Sequence, residues 1–128
     1  MPAPARVEAT PEALSWIERL KQSHGPLMFY QSGGCCEGSA PICFRDKEYW
    51  VGGEDVFLGE IDGCPFYIRA NQFEYWRHTQ LIIDVVEGPG AGFSLEAPEG
   101  VSFLTRGRLF SDAEAEALVE AGEPPRAA

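Results

Sequence analysis

Helix signals sit at the two ends of this chain, and glycine and proline cut what lies between into short apolar runs. Thr10-Pro11-Glu12 opens the first helix. Threonine is a good N-cap, proline suits the first helical position, and glutamate complements the positive end of the helix dipole. Ala13, Trp16, Ile17 and Leu20 then recur at helical spacing and form one apolar face. His24-Gly25-Pro26 ends the helix, since glycine accepts a left-handed C-terminal conformation and proline cannot continue. The second helix starts at Ser111, where Ser111 and Glu114 match a capping box and Ala113, Ala117 and Leu118 form the apolar side. Gly122 and Pro124-Pro125 close it.

The centre reads as strands at Leu27–Gln31, Ile42–Phe44, Val56–Leu58, Phe66–Ile68, Leu81–Val86, Phe93–Leu95 and Val101–Leu104. Asn71–Trp76 reads as a helical turn, and Lys47–Gly53 as a turn-rich link around Tyr49 and Trp50. Ile61-Asp62-Gly63-Cys64-Pro65 carries turn chemistry, which places Cys64 in a turn. Helix, many short strands, helix is the order of an α+β fold. The expectation is a single β-rich domain of short mixed or antiparallel strands, closed as a sandwich or barrel, with an N-terminal and a C-terminal helix. A small cupin-like β-barrel is the alternative. At 128 residues there is room for one domain, assigned to 10–121, with a frayed lead-in at 1–9 and a tail at 122–128.

Composition removes several function classes. Lys plus Arg is 10 against 20 Asp plus Glu, a net charge of −10. Polyanionic surfaces are repelled at long range, so neither nucleic acid nor a membrane surface is an expected partner. No apolar run reaches the roughly 20 residues that span a bilayer. The opening MPAPARVEATPEA has no basic start and no apolar stretch, so the expected location is the cytoplasm. Four cysteines without an export signal read as reduced thiols or thiolate ligands rather than a disulfide framework.

The candidate chemistry centres on Gly33-Gly34-Cys35-Cys36-Glu37-Gly38. Glycines next to a thiol permit positive φ and let backbone N–H groups approach a bound anion or cluster. Gly33 and Gly34 are therefore the expected cofactor-contacting backbone. Cys35, Cys36, Cys64 and His78 are the candidate metal ligands. The bland reading is a tight turn with small buried cysteines. Cys43, between Ile42 and Phe44, reads as core, and Cys64 stays open between core and ligand. His78 is a metal ligand, an acid–base group or a half-buried structural histidine, and His24 reads as a cation at a helix C-terminus. The thiol spacing is not that of a zinc ribbon. A cupin metal site would need His-x-His, which the chain lacks. A nucleophile elbow, a P-loop and a dinucleotide fingerprint are also missing.

Three stretches resemble a known family: HGPLMFYQSGGCCEGSAPICF, LGEIDGCPFYIRANQFEYWRHTQLIIDVV and GFSLEAPEGVSFLTR look like the domain of unknown function 779. The likeness covers about residues 6 to 120. It implies a role accessory to an acetaldehyde dehydrogenase, a label that rests on neighbouring genes. A fainter likeness is to the HesB-like A-type iron–sulfur carriers. Thr10-Pro11-Glu12-Ala13 is similar to their first helix, Gly33-Gly34-Cys35 to their cysteine loop, and Leu81–Val86 with Gly92-Phe93 and Pro98 to a later stretch. This likeness implies that Cys35 corresponds to the first cluster ligand. The carriers end in Cys-Gly-Cys, whereas Glu99-Gly100-Val101-Ser102 stands here, so their three-thiolate site is not copied.

The expected function is a metal- or iron–sulfur-binding accessory protein supporting an aldehyde dehydrogenase. The cofactor would be Zn, Fe or an iron–sulfur cluster, which thiolates and imidazole suit by softness. The alternatives are a metal-free thiol or aldehyde-handling protein using Cys35 or Cys36, and a scaffold partner contacting the dehydrogenase through Trp50, Tyr75 and Trp76. Nothing names a substrate, so a catalytic role of its own is left open. A homodimer is among the expected assemblies.

Overall fold

The computed structural model describes residues 3–31, 39–49, 51–88 and 94–126. In chain order the elements are β1 (Val7–Ala9), α1 (Pro11–His24), β2 (Leu27–Gln31), β3 (Ile42–Arg45), β4 (Val56–Ile61) and β5 (Cys64–Ile68). They continue with α2 (Ala70–Trp76), β6 (Thr79–Glu87), a 3₁₀ turn at Ala97–Glu99, β7 (Val101–Leu109) and α3 (Asp112–Ala121). The expected α+β class holds.

Both terminal helices form for the local reasons read above. The Thr10 hydroxyl oxygen accepts the Ala13 N–H at 3.1 Å. The same hydroxyl donates to Asp84 Oδ1 at 3.0 Å, which ties the start of α1 to β6. Ala13, Ile17 and Leu20 are buried, and Gly25 at φ 81° ends the helix with its N–H on the Lys21 carbonyl. Ser111 and Glu114 complete the capping box of α3.

The strands make two sheets. The first has the order β1-β6-β7, with β1 parallel and β7 antiparallel to β6. The second has the order β3-β2-β5-β4, in which β2 and β5 are parallel and the outer pairs antiparallel. The sheets meet through aromatic rings. Phe29 of β2 meets Phe103 of β7 edge-on, with centroids 5.4 Å apart, and stacks on Phe66 of β5 at 6.0 Å. All three phenylalanines are fully buried, and Ile17, Leu81 and Ile83 complete the centre. The described strands form no closed barrel, so the barrel arrangements, including the cupin-like one, are not adopted.

Four details depart from the sequence reading. Val7–Ala9, inside the stretch read as a frayed lead-in, is a strand in register with Leu81–Ile83. Three residues carry no periodicity of their own, and a neighbour recruits them. β7 runs on to Leu109, because β6 offers a nine-residue partner from Thr79 to Glu87. The Asp62-Gly63 turn is tighter than expected, so Cys64 is the first residue of β5, opposite Ile61. Ser94 and Leu95 do not continue a strand but lead into the 3₁₀ turn. Their polar neighbours explain this: the Ser94 hydroxyl accepts the Cys43 N–H at 2.9 Å, and Glu96 Oε2 accepts the Phe103 N–H at 3.0 Å.

Candidate functional site: a polar anchor at the base of the thiol loop

Strand β2 buries all five of its residues and ends on a fully buried polar side chain, Gln31. An amide in that position needs partners, since burying it without hydrogen bonds is costly. The partners come from far along the chain. Thr105 Oγ1, itself fully buried on β7, donates to Gln31 Oε1 at 2.9 Å. Gln31 Nε2 donates to Ser39 Oγ at 3.0 Å. The Thr105 N–H donates to the Ser39 carbonyl at 2.7 Å, and the Arg69 N–H, just after β5, donates to the Gln31 carbonyl at 3.2 Å. The end of β2, the end of β5 and the middle of β7 therefore meet at one polar point. It lies directly beyond the apolar Phe29–Phe103 contact, because Gln31 and Thr105 each follow those rings by two residues.

Gln31 and Ser39 flank segment 32–38, which carries Gly33, Gly34, Cys35 and Cys36. Those four residues lie outside the described ones. Their anchor does not: both flanking residues are tied to each other and to Thr105.

The remaining candidate ligands are placed elsewhere. Cys43 on β3 is fully buried, as expected. Cys64 is 2% exposed, and its thiol donates to the Asp62 carbonyl at 3.7 Å. Burial pushes both thiols above their ordinary range, so both stay protonated at neutral pH. His78 is exposed in the turn between α2 and β6, and it lines a cavity against α3. Cys64 and His78 thus sit at different places, the first at the start of β5 and the second before β6. Among the described residues no group of three or more His, Cys, Asp or Glu is arranged to hold a metal ion. His24 is the last residue of α1, with Nδ1 3.3 Å from an Arg45 guanidinium nitrogen. Of the aromatics considered for an interface, Trp76 is buried, Tyr75 is 66% exposed and Trp50 lies outside the described residues.

A second polar cluster escaped the sequence reading. Glu96 is 1% exposed, with its carboxylate held by the Ser94 hydroxyl and the Phe103 N–H. Burial pushes its carboxyl up, against the pull of those hydrogen bonds. Ser94-x-Glu96 carries no motif that announces this. Thr105 was more accessible, because alternation through Val101 and Phe103 places it on the core face once β7 is extended.

None of the described helices is long and apolar enough to cross a membrane. Neither the characterised proteins nor the solved structures contain a match to this chain. A family model described as a domain of unknown function (DUF779) matches residues 16–109. That span includes the polar anchor, segment 32–38, the whole second sheet and strands β6 and β7 of the first, and the chain belongs to the DUF779 family.

Proposed function

We propose that this protein is an accessory protein that holds a soft metal ion or an iron–sulfur cluster on the loop 32–38, through Cys35 and Cys36. The observation that carries the reading is the anchor beneath that loop. A buried Gln31–Thr105 pair and Ser39 fix both flanks of a short glycine-rich segment bearing two thiols. Glycines beside thiols let backbone donors and sulfurs serve one ligand. Zinc, iron and clusters are the matching acceptors for thiolate. Cys64 and Cys43 are left out because their thiols are buried and protonated. His78 is left out because it faces the α3 cavity.

Two thiolates fill half of a tetrahedral site. The other positions then come from a second chain, which suits an accessory protein. Resemblance supplies the partner class, an aldehyde dehydrogenase, and a second copy of this chain is the other source.

The test is elemental analysis and an absorption spectrum on anaerobically purified protein. Wild type and Cys64→Ser should retain stoichiometric zinc or iron, and Cys35→Ser and Cys36→Ser should lose it. Metal-free wild type with a rapidly alkylated Cys35 or Cys36 would overturn the reading in favour of metal-free thiol chemistry. Metal retained in both loop variants would overturn it as well.

A further inference from the structure

Alternation along β2 and β5 turns Met28, Tyr30 and Tyr67 away from the core that holds Leu27, Phe29, Phe66 and Ile68. The link between β3 and β4 crosses this outward face of the second sheet. Its Tyr49 ring lies against two rings of the sheet, stacked on Phe44 at 4.8 Å and tilted on Tyr30 at 4.9 Å. Asp55 ties down the far end of the link. Its Oδ1 accepts the Tyr30 hydroxyl at 2.7 Å, and its Oδ2 accepts the Gly52 N–H at 2.8 Å. A cavity of ≈ 410 Å³ remains between the link and the sheet, within the range of small-ligand pockets.

Two tyrosines line it, Tyr49 from the link and Tyr67 from the sheet. Tyr49 is held by Phe44 and Tyr30, and Tyr67 by Phe57 at 5.8 Å, so both rings are set in place before a ligand arrives. No ring contact joins Tyr49 to Tyr67, and a third ring in the cavity would reach both. The charged part of the wall has both signs. Glu48 is matched, pairing with Arg45 at 3.1 Å. Asp46 and Lys47 also line the cavity, and among the described residues neither forms an ion pair. Asp46 lies close to the ring of Tyr67: burial raises the Tyr67 hydroxyl pKa most, and the Asp46 charge raises it further. One unpaired carboxylate and one unpaired ammonium thus stand beside two fixed rings.

We infer that this cavity binds a free aromatic α-amino acid, with its ring against Tyr49 and Tyr67, its ammonium on Asp46 and its carboxylate on Lys47. Charge complementarity selects the head group. Opposite charges on one wall favour neither a simple anion nor a simple cation, whereas a zwitterion finds a partner for each of its ends. The two tyrosines select the aromatic side chain. Asp46 and Lys47 are exposed, so each contributes modestly and the ring contributes most. The site lies on the outward face of the sheet, apart from the buried Gln31–Thr105 anchor, and its failure would leave the metal reading untouched.

The experiment is an NMR titration of the isotope-labelled full chain with L-phenylalanine, phenethylamine, 3-phenylpropionate and L-alanine. L-phenylalanine should bind and shift the amide signals of Asp46, Lys47, Glu48, Tyr49 and Tyr67. L-alanine lacks the ring and should bind about tenfold more weakly or worse. Phenethylamine lacks the carboxylate and 3-phenylpropionate the ammonium, and each should bind up to about fivefold more weakly. Lys47→Met should abolish the preference for L-phenylalanine over phenethylamine and keep the preference over 3-phenylpropionate. Asp46→Asn should do the reverse. Both side chains are exposed, so both variants keep the fold. The inference fails if L-phenylalanine does not bind, if its shifts fall elsewhere, if L-alanine matches it, or if the two charge variants leave both preferences unchanged.

Discussion

Replacing Thr105 by valine isolates the anchor beneath the thiol loop. Valine keeps the shape of a fully buried side chain and deletes one hydroxyl, while the backbone bond from residue 105 to the Ser39 carbonyl is retained. Gln31 Oε1 then loses a 2.9 Å donor at a fully buried position. Removing a donor from a buried acceptor costs about 1–3 kcal/mol. For a domain of this size that is a fall of roughly 3–15 °C in Tm. Urea unfolding followed by tryptophan fluorescence measures the free energy. Gln31→Met and the double variant complete a cycle, and the pair should show a coupling of at least about 0.5 kcal/mol. Hydrogen exchange at the residue-105 amide should rise in parallel, because that N–H donates to the carbonyl of Ser39, whose hydroxyl Gln31 holds. A Thr105→Val stability within about 0.5 kcal/mol of wild type, the range of an ordinary surface substitution, would refute the reasoning. So would additivity in the cycle.

Two further expectations follow from other tightly packed positions. Burial raises the Glu96 carboxyl above its ordinary 4.5, so the folded state favours the proton more than the unfolded state does. Its contribution is then complete below about pH 4.5 and is lost as pH rises through the raised folded value. The stability of wild type relative to Glu96→Gln should therefore fall between pH 4 and pH 8, and parallel curves in urea titrations would contradict this. At Gly107, an added Cβ would meet Thr79 Cγ2 at 2.9 Å and Trp76 Cζ3 at 3.3 Å. Gly107→Ala should destabilise by about 1–3 kcal/mol through overpacking. An unchanged denaturation midpoint would show that β7 can move off Trp76 freely.

The thiol loop was visible in the sequence because its signal is compositional, a cluster of glycines and cysteines. What ties its two flanking residues together was not. Gln31 closes an apolar run and looks like its ordinary polar end, and Ser94 and Glu96 look like loop surface. Each is buried because a strand far along the chain supplies its partner: Thr105 is 74 residues from Gln31, and Ser94 is 51 from Cys43. Cys64 is the opposite case. The turn chemistry around Asp62-Gly63 is plain in the sequence, but its tightness puts Cys64 one step inside the strand and its thiol in the core. Arg6 likewise reads as an unremarkable charge until β1 pairs with β6 and brings it against Arg77 and α3.

The sequence by itself determined both capped helices, most of the strands, the α+β class and the burial of Cys43. These depend on hydrogen bonds and periodicities closed within a few residues, which a linear reading contains. Only the tertiary structure decided that Val7–Ala9 is a strand, that Gln31 and Thr105 clamp the flanks of segment 32–38, and that Arg6 lies over the Phe73 ring. Those outcomes turn on sheet register between distant segments. A single-residue slip there reverses which side chains face inward, and no local pattern encodes it.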